Sequence, residues 1–205
     1  VRERVGLSTL DLERQRLIGI LAAWLEVEGS RDVSFTVELS EEPLEWDCEG
    51  LNLSLKVDRV DRLSTGQRIV IDYKSSVGPS AIDWSQSPLQ SPQLPCYSQV
   101  IADVETIAIG QVSINEPGYL TLGADIGLDD ADKKSKKAMD RAGVSELAGL
   151  KDQWLVDLRS LVSAFVNGSG TPTPSPSACR YCHYAAICRA HAVSDWDAEE
   201  ELSGE

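Results

Sequence analysis

Between residues 51 and 62 apolar and polar positions alternate, with Leu51, Leu53, Leu55 and Val57 on one side and Asn52, Ser54 and Lys56 on the other. A period of two is that of a strand with one buried face. A second strand-like run, 68–74, follows the tight turn Ser64-Thr65-Gly66, so the two runs predict a hairpin. Upstream, 8–28 predicts a helix capped by Ser8 or Thr9 and ended by Gly29, with Leu10, Leu17, Leu21, Trp24 and Leu25 on one side. The stretch VSFTVEL, 33–39, predicts a strand. Beyond the hairpin comes a loop rich in Ser and Pro, 75–91. A helix then opens at Ser91-Pro92, with Pro92 at its first position. Strands at 106–114 and 118–123 and a helix over roughly 144–166 complete the pattern. Helix, three strands, helix, two strands, helix is the order of a mixed α/β or α+β fold, a central mixed sheet flanked by helices.

The segment GSGTPTPSPS opens an extended linker, 168–178. Before it, 1–167 forms the core domain. After it come a cysteine-bearing segment, 179–193, and a strongly acidic tail, 194–205, expected to be a solvated, disordered end. No internal repeat is visible. No apolar run reaches the ~18 residues needed to cross a bilayer. The opening VRERVGLS has no apolar core of a signal peptide, so a cytoplasmic location without membrane contact is expected. The chain begins at Val1 rather than Met and reads as a fragment from the end of a longer protein.

The 205 residues suffice for one domain with a sizeable core, and 42% apolar with 25% charged residues is ordinary for a globular protein. The net charge of −14 changes the picture more, because such a surface repels nucleic acid at long range. It argues against a protein that simply coats DNA. It leaves room for a nuclease, where carboxylates gather metal ions and the metals meet the phosphate. The local basic stretch Asp132–Lys137 reads either as a solvated loop or as a phosphate contact.

Charge also enters the hairpin. Residues two apart on a strand share a face, so Asp72 and Lys74 project together while Ile69, Ile71 and Tyr73 point the other way. With the hairpin symmetric about Thr65, Asp58 falls opposite Asp72, which places their Cβ atoms about 5 Å apart. Opposed like charges are unfavourable unless a cation lies between them, and Mg²⁺ suits paired carboxylates. A nearby Lys74 could orient or deprotonate a metal-held water. The plain alternative is a surface Asp72–Lys74 ion pair, with Asp58 paired to Arg59 or Arg62. On the following helix, Gln93 and Tyr97 stand four residues apart and share a face.

The run VDRVDRL…IVIDYKSS, followed by Gln93 and Tyr97 in SPQLPCYSQ, resembles the signature of RecB/AddB-type nuclease domains of the PD-(D/E)xK superfamily. The N-terminal LDLERQRLIGILAAWLEVEGSR is similar to a group of bacterial DNA-repair proteins that end in RecB-like nucleases. The resemblance implies a restriction-endonuclease-like core and Mg²⁺- or Mn²⁺-dependent cleavage of DNA, exonucleolytic in type. It also implies a larger repair and recombination protein with a helicase partner or helicase-like subunit. By the same resemblance Asp58 and Asp72 are metal ligands, joined by the Tyr73 carbonyl. Lys74 is the catalytic lysine, and Gln93 and Tyr97 position the strand. A glutamate on the preceding strand also belongs to the pattern; within FTVELSEE the candidate is Glu38, with Glu41 and Glu42 close by. A non-cleaving module that binds DNA ends or a partner is the alternative.

Five cysteines are present, Cys48, Cys96, Cys179, Cys182 and Cys188, an odd number that argues against a disulfide framework. ACRYCHYAAICR spaces the last three as C-x2-C-x5-C, a metal-like cluster. Zinc would require a fourth ligand, which His183 or His191 could supply. The resemblance points instead to a [4Fe–4S] cluster held by Cys179, Cys182, Cys188 and one upstream cysteine. The upstream cysteine and a histidine that precede the first helix in that family are absent here. Cys48 is expected in a loop, and Cys96 as a small buried residue.

Overall fold

In a computed structural model, residues 7–75, 81–87, 89, 91–124, 136–137, 139–141, 143, 146–169, 179–180, 182–184 and 187–188 are described. The elements in chain order are α1 (Leu7–Gly29), β1 (Phe35–Cys48), β2 (Leu51–Leu63) and β3 (Arg68–Lys74). A short 3₁₀ turn (Ala81–Ser85), α2 (Gln93–Val100), β4 (Val104–Gln111), β5 (Gly118–Gly123) and α3 (Leu147–Val166) follow. The chain divides into two compact units, Val1–Ser163 and Ala164–Glu205, and the first contains the sheet.

The five strands lie side by side in sequence order. All neighbours are antiparallel except β3 and β4, which run parallel. A parallel pair cannot be closed by a tight turn. The crossover between β3 and β4 carries the 3₁₀ turn and α2, which packs on the end of the sheet where β3 finishes. This mixed five-stranded sheet with flanking helices is the architecture expected from the pattern of elements.

One face of the sheet contributes Val57, Val60, Val70, Ile107 and Leu122 to a core with Leu94 and Tyr97 of α2 and Leu150 and Trp154 of α3. Each such side chain, fully buried, stabilises the fold by about 1.5–3 kcal/mol before entropy is counted. The Trp154 indole N–H donates to the Trp84 carbonyl at 2.6 Å, which ties α3 to the crossover. The opposite face buries Leu63, Ile69, Ile71 and Ala108 beneath Phe35, Tyr73 and Tyr119. There Trp24 of α1 meets the Tyr73 and Tyr119 rings at centroid distances of 5.6 and 5.0 Å.

Several expectations are corrected. The first strand does not stop at 39 but continues through Pro43 to Cys48, pairing with β2 along the whole hairpin. Pro43 is tolerated because β1 is an edge strand. Cys48 is therefore the buried last residue of a strand, not a loop residue. Of the apolar residues expected on the core side of α1, only Trp24 is buried; Leu10, Leu17, Leu21 and Leu25 are exposed. Pro92 is the N-cap of α2 rather than its first residue, and its carbonyl accepts the first helical bond, from the Cys96 N–H at 2.8 Å. Pro95 falls in the first turn, where a missing N–H costs nothing. The fourth strand ends at Gln111 rather than 114, and the last helix begins at Leu147. Lys136 and Lys137 are described, but 132–135, the linker from 170 and the acidic tail lie outside the described residues. Among the described residues, no helix is long and apolar enough to cross a membrane.

Candidate active site

The site forms where β3 leaves β2. Main-chain pairing between these strands runs from Arg62 opposite Arg68 to Arg59 opposite Ile71. One step further, the same register sets Asp58 opposite Asp72. Here the ladder gives way to a side chain: the Tyr73 N–H donates to Asp58 Oδ2 at 2.8 Å. Val57 and Val60 both enter one cluster although they are three residues apart, so strict alternation slips by one residue at Asp58–Arg59. The slip lets an aspartate reach across to the neighbouring backbone.

Asp72 follows Val70 on the α2 face, and its side chain is only 2% exposed. Lys74 Nζ stands 2.6 Å from Asp72 Oδ2. The two form a close ion pair, and beyond Lys74 neither carboxylate oxygen has a hydrogen-bond donor among the described residues. Burial pushes the Asp72 carboxyl above its ordinary range and the nearby Asp58 adds to the effect; the Lys74 ammonium opposes them.

From Lys74 a directed chain of hydrogen bonds crosses to α2 and returns to β2. Lys74 Nζ donates to Gln93 Oε1 at 3.1 Å, and Gln93 Nε2 donates to the Tyr97 hydroxyl at 3.0 Å. The Tyr97 hydroxyl donates to the Lys56 carbonyl at 2.5 Å. The four-residue spacing on α2 allows Gln93 and Tyr97 to act together. These side chains line a cavity of about 690 Å³ whose floor is apolar, with Leu55, Leu94 and Ile109 beside Asp72 and Lys74.

A family model described as the PD-(D/E)XK nuclease superfamily matches residues 4–189. The chain belongs to that superfamily. Most members of the PD-(D/E)XK superfamily are nucleases, and the mixed five-stranded sheet with flanking helices agrees with that membership. A solved structure described as "Crystal structure of SSO0001" is similar over 84% of this chain and 68% of that one, at 15% identity and a TM-score of 0.40. A search of the curated proteins finds no match.

PD-(D/E)XK nucleases typically use divalent metals, and the donor set here is of the right chemistry. Hard cations take carboxylate and carbonyl oxygens, and Asp72 presents two buried oxygens whose one donor among the described residues is Lys74. Among the described residues no three His, Cys, Asp or Glu side chains converge as a metal set, so the fit rests on Asp58, Asp72 and backbone oxygen.

The structure does not bring Glu38 to this cluster. Glu38 sits at the irregularity of β1 between Val37 and Leu39. Its carboxylate accepts from Arg62 at 2.8 Å and from Arg68 at 2.8 and 2.7 Å, at the turn end of the hairpin. These two arginines hold its carboxyl down at about 2. Neither of the arginines proposed as partners of Asp58 takes that role: Arg62 pairs with Glu38, and Arg59 pairs with Asp61. Cys179, Cys182 and Cys188 are free, and the metal set expected of them is not assembled among the described residues. Cys96 is buried as expected, its thiol pushed up to about 11 by burial.

Two features were not foreseen. The Lys56 carbonyl is a main-chain atom, invisible to a search for side-chain motifs. The other is an ion network beneath Tyr73, on the far face. Arg31 and Asp61, both with fully buried side chains, pair at 2.7 Å, and Arg59 joins Asp61 at 2.6 Å and Glu28 at 3.2 Å. The signal lies in the repeated Asp-Arg of VDRVDR, where Arg59 of the first pair and Asp61 of the second serve the fold rather than the site.

Proposed function

We propose that this chain is a RecB/AddB-type nuclease domain that hydrolyses DNA phosphodiesters with Mg²⁺ or Mn²⁺. The reading that carries furthest is an exonuclease within a larger DNA-repair protein that works with a helicase partner; the motif resemblance supports that wider context. The observation behind the chemistry is the buried Asp72 carboxylate, close enough to Asp58 to feel its charge, with Lys74 as its one donor among the described residues and tethered to Gln93.

Asp58, Asp72 and the Tyr73 carbonyl would hold the metal. A divalent ion there supplies an activated water and positive charge for the phosphate oxygens. Lys74 supplies the rest. An ammonium has three donors; one faces Asp72 and one binds Gln93, which leaves one for the attacking water or a phosphate oxygen. Gln93 and Tyr97 fix where that donor points. Water adds to phosphorus, the P–O bond to the leaving sugar breaks, and a hydroxyl and a phosphate monoester result. A [4Fe–4S] cluster is left out of this reading, since the three late cysteines do not converge among the described residues.

The test is cleavage of end-labelled linear and closed circular DNA with Mn²⁺, comparing the wild type with Asp58→Asn and Lys74→Ala. The expected result is loss of linear DNA only, absent in both variants. Metal-dependent cleavage that persists unchanged in both would overturn the assignment, and cutting of closed circles would replace exonuclease by endonuclease.

A further inference from the structure

We infer that Arg59, Gly110 and the Tyr73 side chain form a rear anchor that positions the Asp58–Tyr73 corner from the face of the sheet opposite the site. The inference deepens the nuclease reading and rests on it only for its consequence for metal affinity.

The argument begins with what holds the end of β3. Its ladder with β2 stops at Ile71, so Asp72, Tyr73 and Lys74 keep regular main-chain pairing on one side alone, with β4. On the other side the main-chain tie found among the described residues is the Tyr73 N–H to the Asp58 side chain. A strand end paired on one side can pivot about that ladder. What opposes the pivot is the Tyr73 side chain, which projects to the far face between its two neighbours' projections to the near face.

Three contacts fix it there. The hydroxyl accepts from Arg59 Nη1 at 2.8 Å. Arg59 is itself immobilised, giving both Nε and Nη2 to the Asp61 carboxylate at 2.6 and 2.9 Å and reaching Glu28 of α1. The ring stands edge-on to Trp24 with the planes at 90°. Beneath it lies Gly110, its register partner on β4. A methyl at that position would meet Tyr73 Cδ1 at 2.6 Å and Cε1 at 2.8 Å, so the ring occupies space that any other residue would claim. The Tyr73 peptide is thus set by side-chain contacts on one face, while its N–H holds Asp58 on the other. Arg59 and Gly110 are positioning residues; neither touches the reacting atoms.

The test has a readout that needs neither metal nor DNA, namely the hydrogen-exchange rate of the Tyr73 amide measured by NMR. Gly110→Ala and Tyr73→Phe are compared with Leu63→Ala, which removes bulk from the same apolar cluster at the turn end of the hairpin. In both anchor variants the Tyr73 amide is expected to exchange roughly five- to tenfold faster, the scale of one lost buried hydrogen bond. Leu63→Ala is expected to leave it protected. Mn²⁺ affinity should fall in the anchor variants alone. A Tyr73 amide as protected in Tyr73→Phe as in the wild type, or equally exposed by Leu63→Ala, overturns the anchor. Wild-type protein that binds no Mn²⁺ would sink the metal-site reading while the exchange result still decides the anchor.

Discussion

Lys74 pairs with Asp72 at 2.6 Å and at the same time donates a hydrogen bond to Gln93. The lysine thus joins strand to helix, and the carboxylate has two buried oxygens with no donor but that lysine among the described residues. A carboxylate arranged purely for stability would be more fully hydrogen-bonded. This one is held at a cost that bound metal would offset.

Asp72→Asn should therefore stabilise the metal-free protein at neutral pH, because burial of the carboxylate outweighs its contact with the partly exposed Lys74. The sign follows from the raised carboxyl. Between its ordinary 3.8 and its higher folded value, the native chain keeps a proton that the unfolded chain has lost. Wild-type stability then falls as pH rises through that window, and the penalty is complete above it. Urea unfolding across pH, without metal, measures the difference; an Asn variant less stable than the wild type at pH 7 would contradict it. Mn²⁺ at a hundred times its Kd should stabilise the wild type by about 2.7 kcal/mol and the variant hardly at all.

Lys74→Ala should separate metal binding from turnover. The two aspartates and the Tyr73 carbonyl remain, so Mn²⁺ still binds. The donor for water or phosphate is gone, and kcat for DNA cleavage should fall about a hundredfold or more. Calorimetric Mn²⁺ titration beside single-turnover cleavage checks this. Equal loss of both would mean that Lys74 acts by holding Asp72 in place.

The hairpin shows which parts of this site a sequence can reveal. The opposition of Asp58 and Asp72 is what a tight turn and a period of two predict, and the observed ladder keeps that register as far as Arg59 opposite Ile71, one step short of the two aspartates. Gln93 and Tyr97 are singled out by the family resemblance, and helical spacing accounts for their shared face. Glu38 fails on the same logic, because an irregularity in β1 turns it toward Arg62 and Arg68. Neither that irregularity nor the left-handed backbone of Glu41, at φ 55°, leaves a mark in the residue types. For the same reason Glu-Glu-Pro reads as a loop although β1 runs through it. The apolar side of α1 misleads differently: periodicity marks a face that can be buried, and here only Trp24 of that face meets the sheet.

Tyr97→Phe tests the tether. The phenolic hydroxyl joins Gln93 to the Lys56 carbonyl, so its loss leaves the Gln93 amide without an acceptor and Lys74 less well placed. Cleavage should slow roughly tenfold through misplacement of the lysine. Stability should drop by about 1 kcal/mol for one lost hydrogen bond. The informative comparison is with Gln93→Ala: acting through one chain, the two substitutions should combine less than additively in a double-mutant cycle. Full additivity of the two rate effects would dissolve the chain into independent contacts.

Glu38→Gln should affect stability and leave the site alone. With its carboxyl held at about 2, against an ordinary 4.5, Glu38 contributes stability above the ordinary value. That contribution is lost as pH falls from there toward the folded value, because the unfolded chain takes up the proton first. At pH 7 the variant should be less stable by about 0.5–1 kcal/mol, discounted for an ion pair in contact with solvent. The gap should narrow as the pH is lowered from 4.5 and close below about 2, where both proteins carry a neutral side chain. Mn²⁺ affinity and cleavage rate should match the wild type, because the carboxylate sits at the turn end of the hairpin, engaged by Arg62 and Arg68. A Gln variant that folds as stably as the wild type at pH 7 but loses cleavage would return Glu38 to the catalytic set.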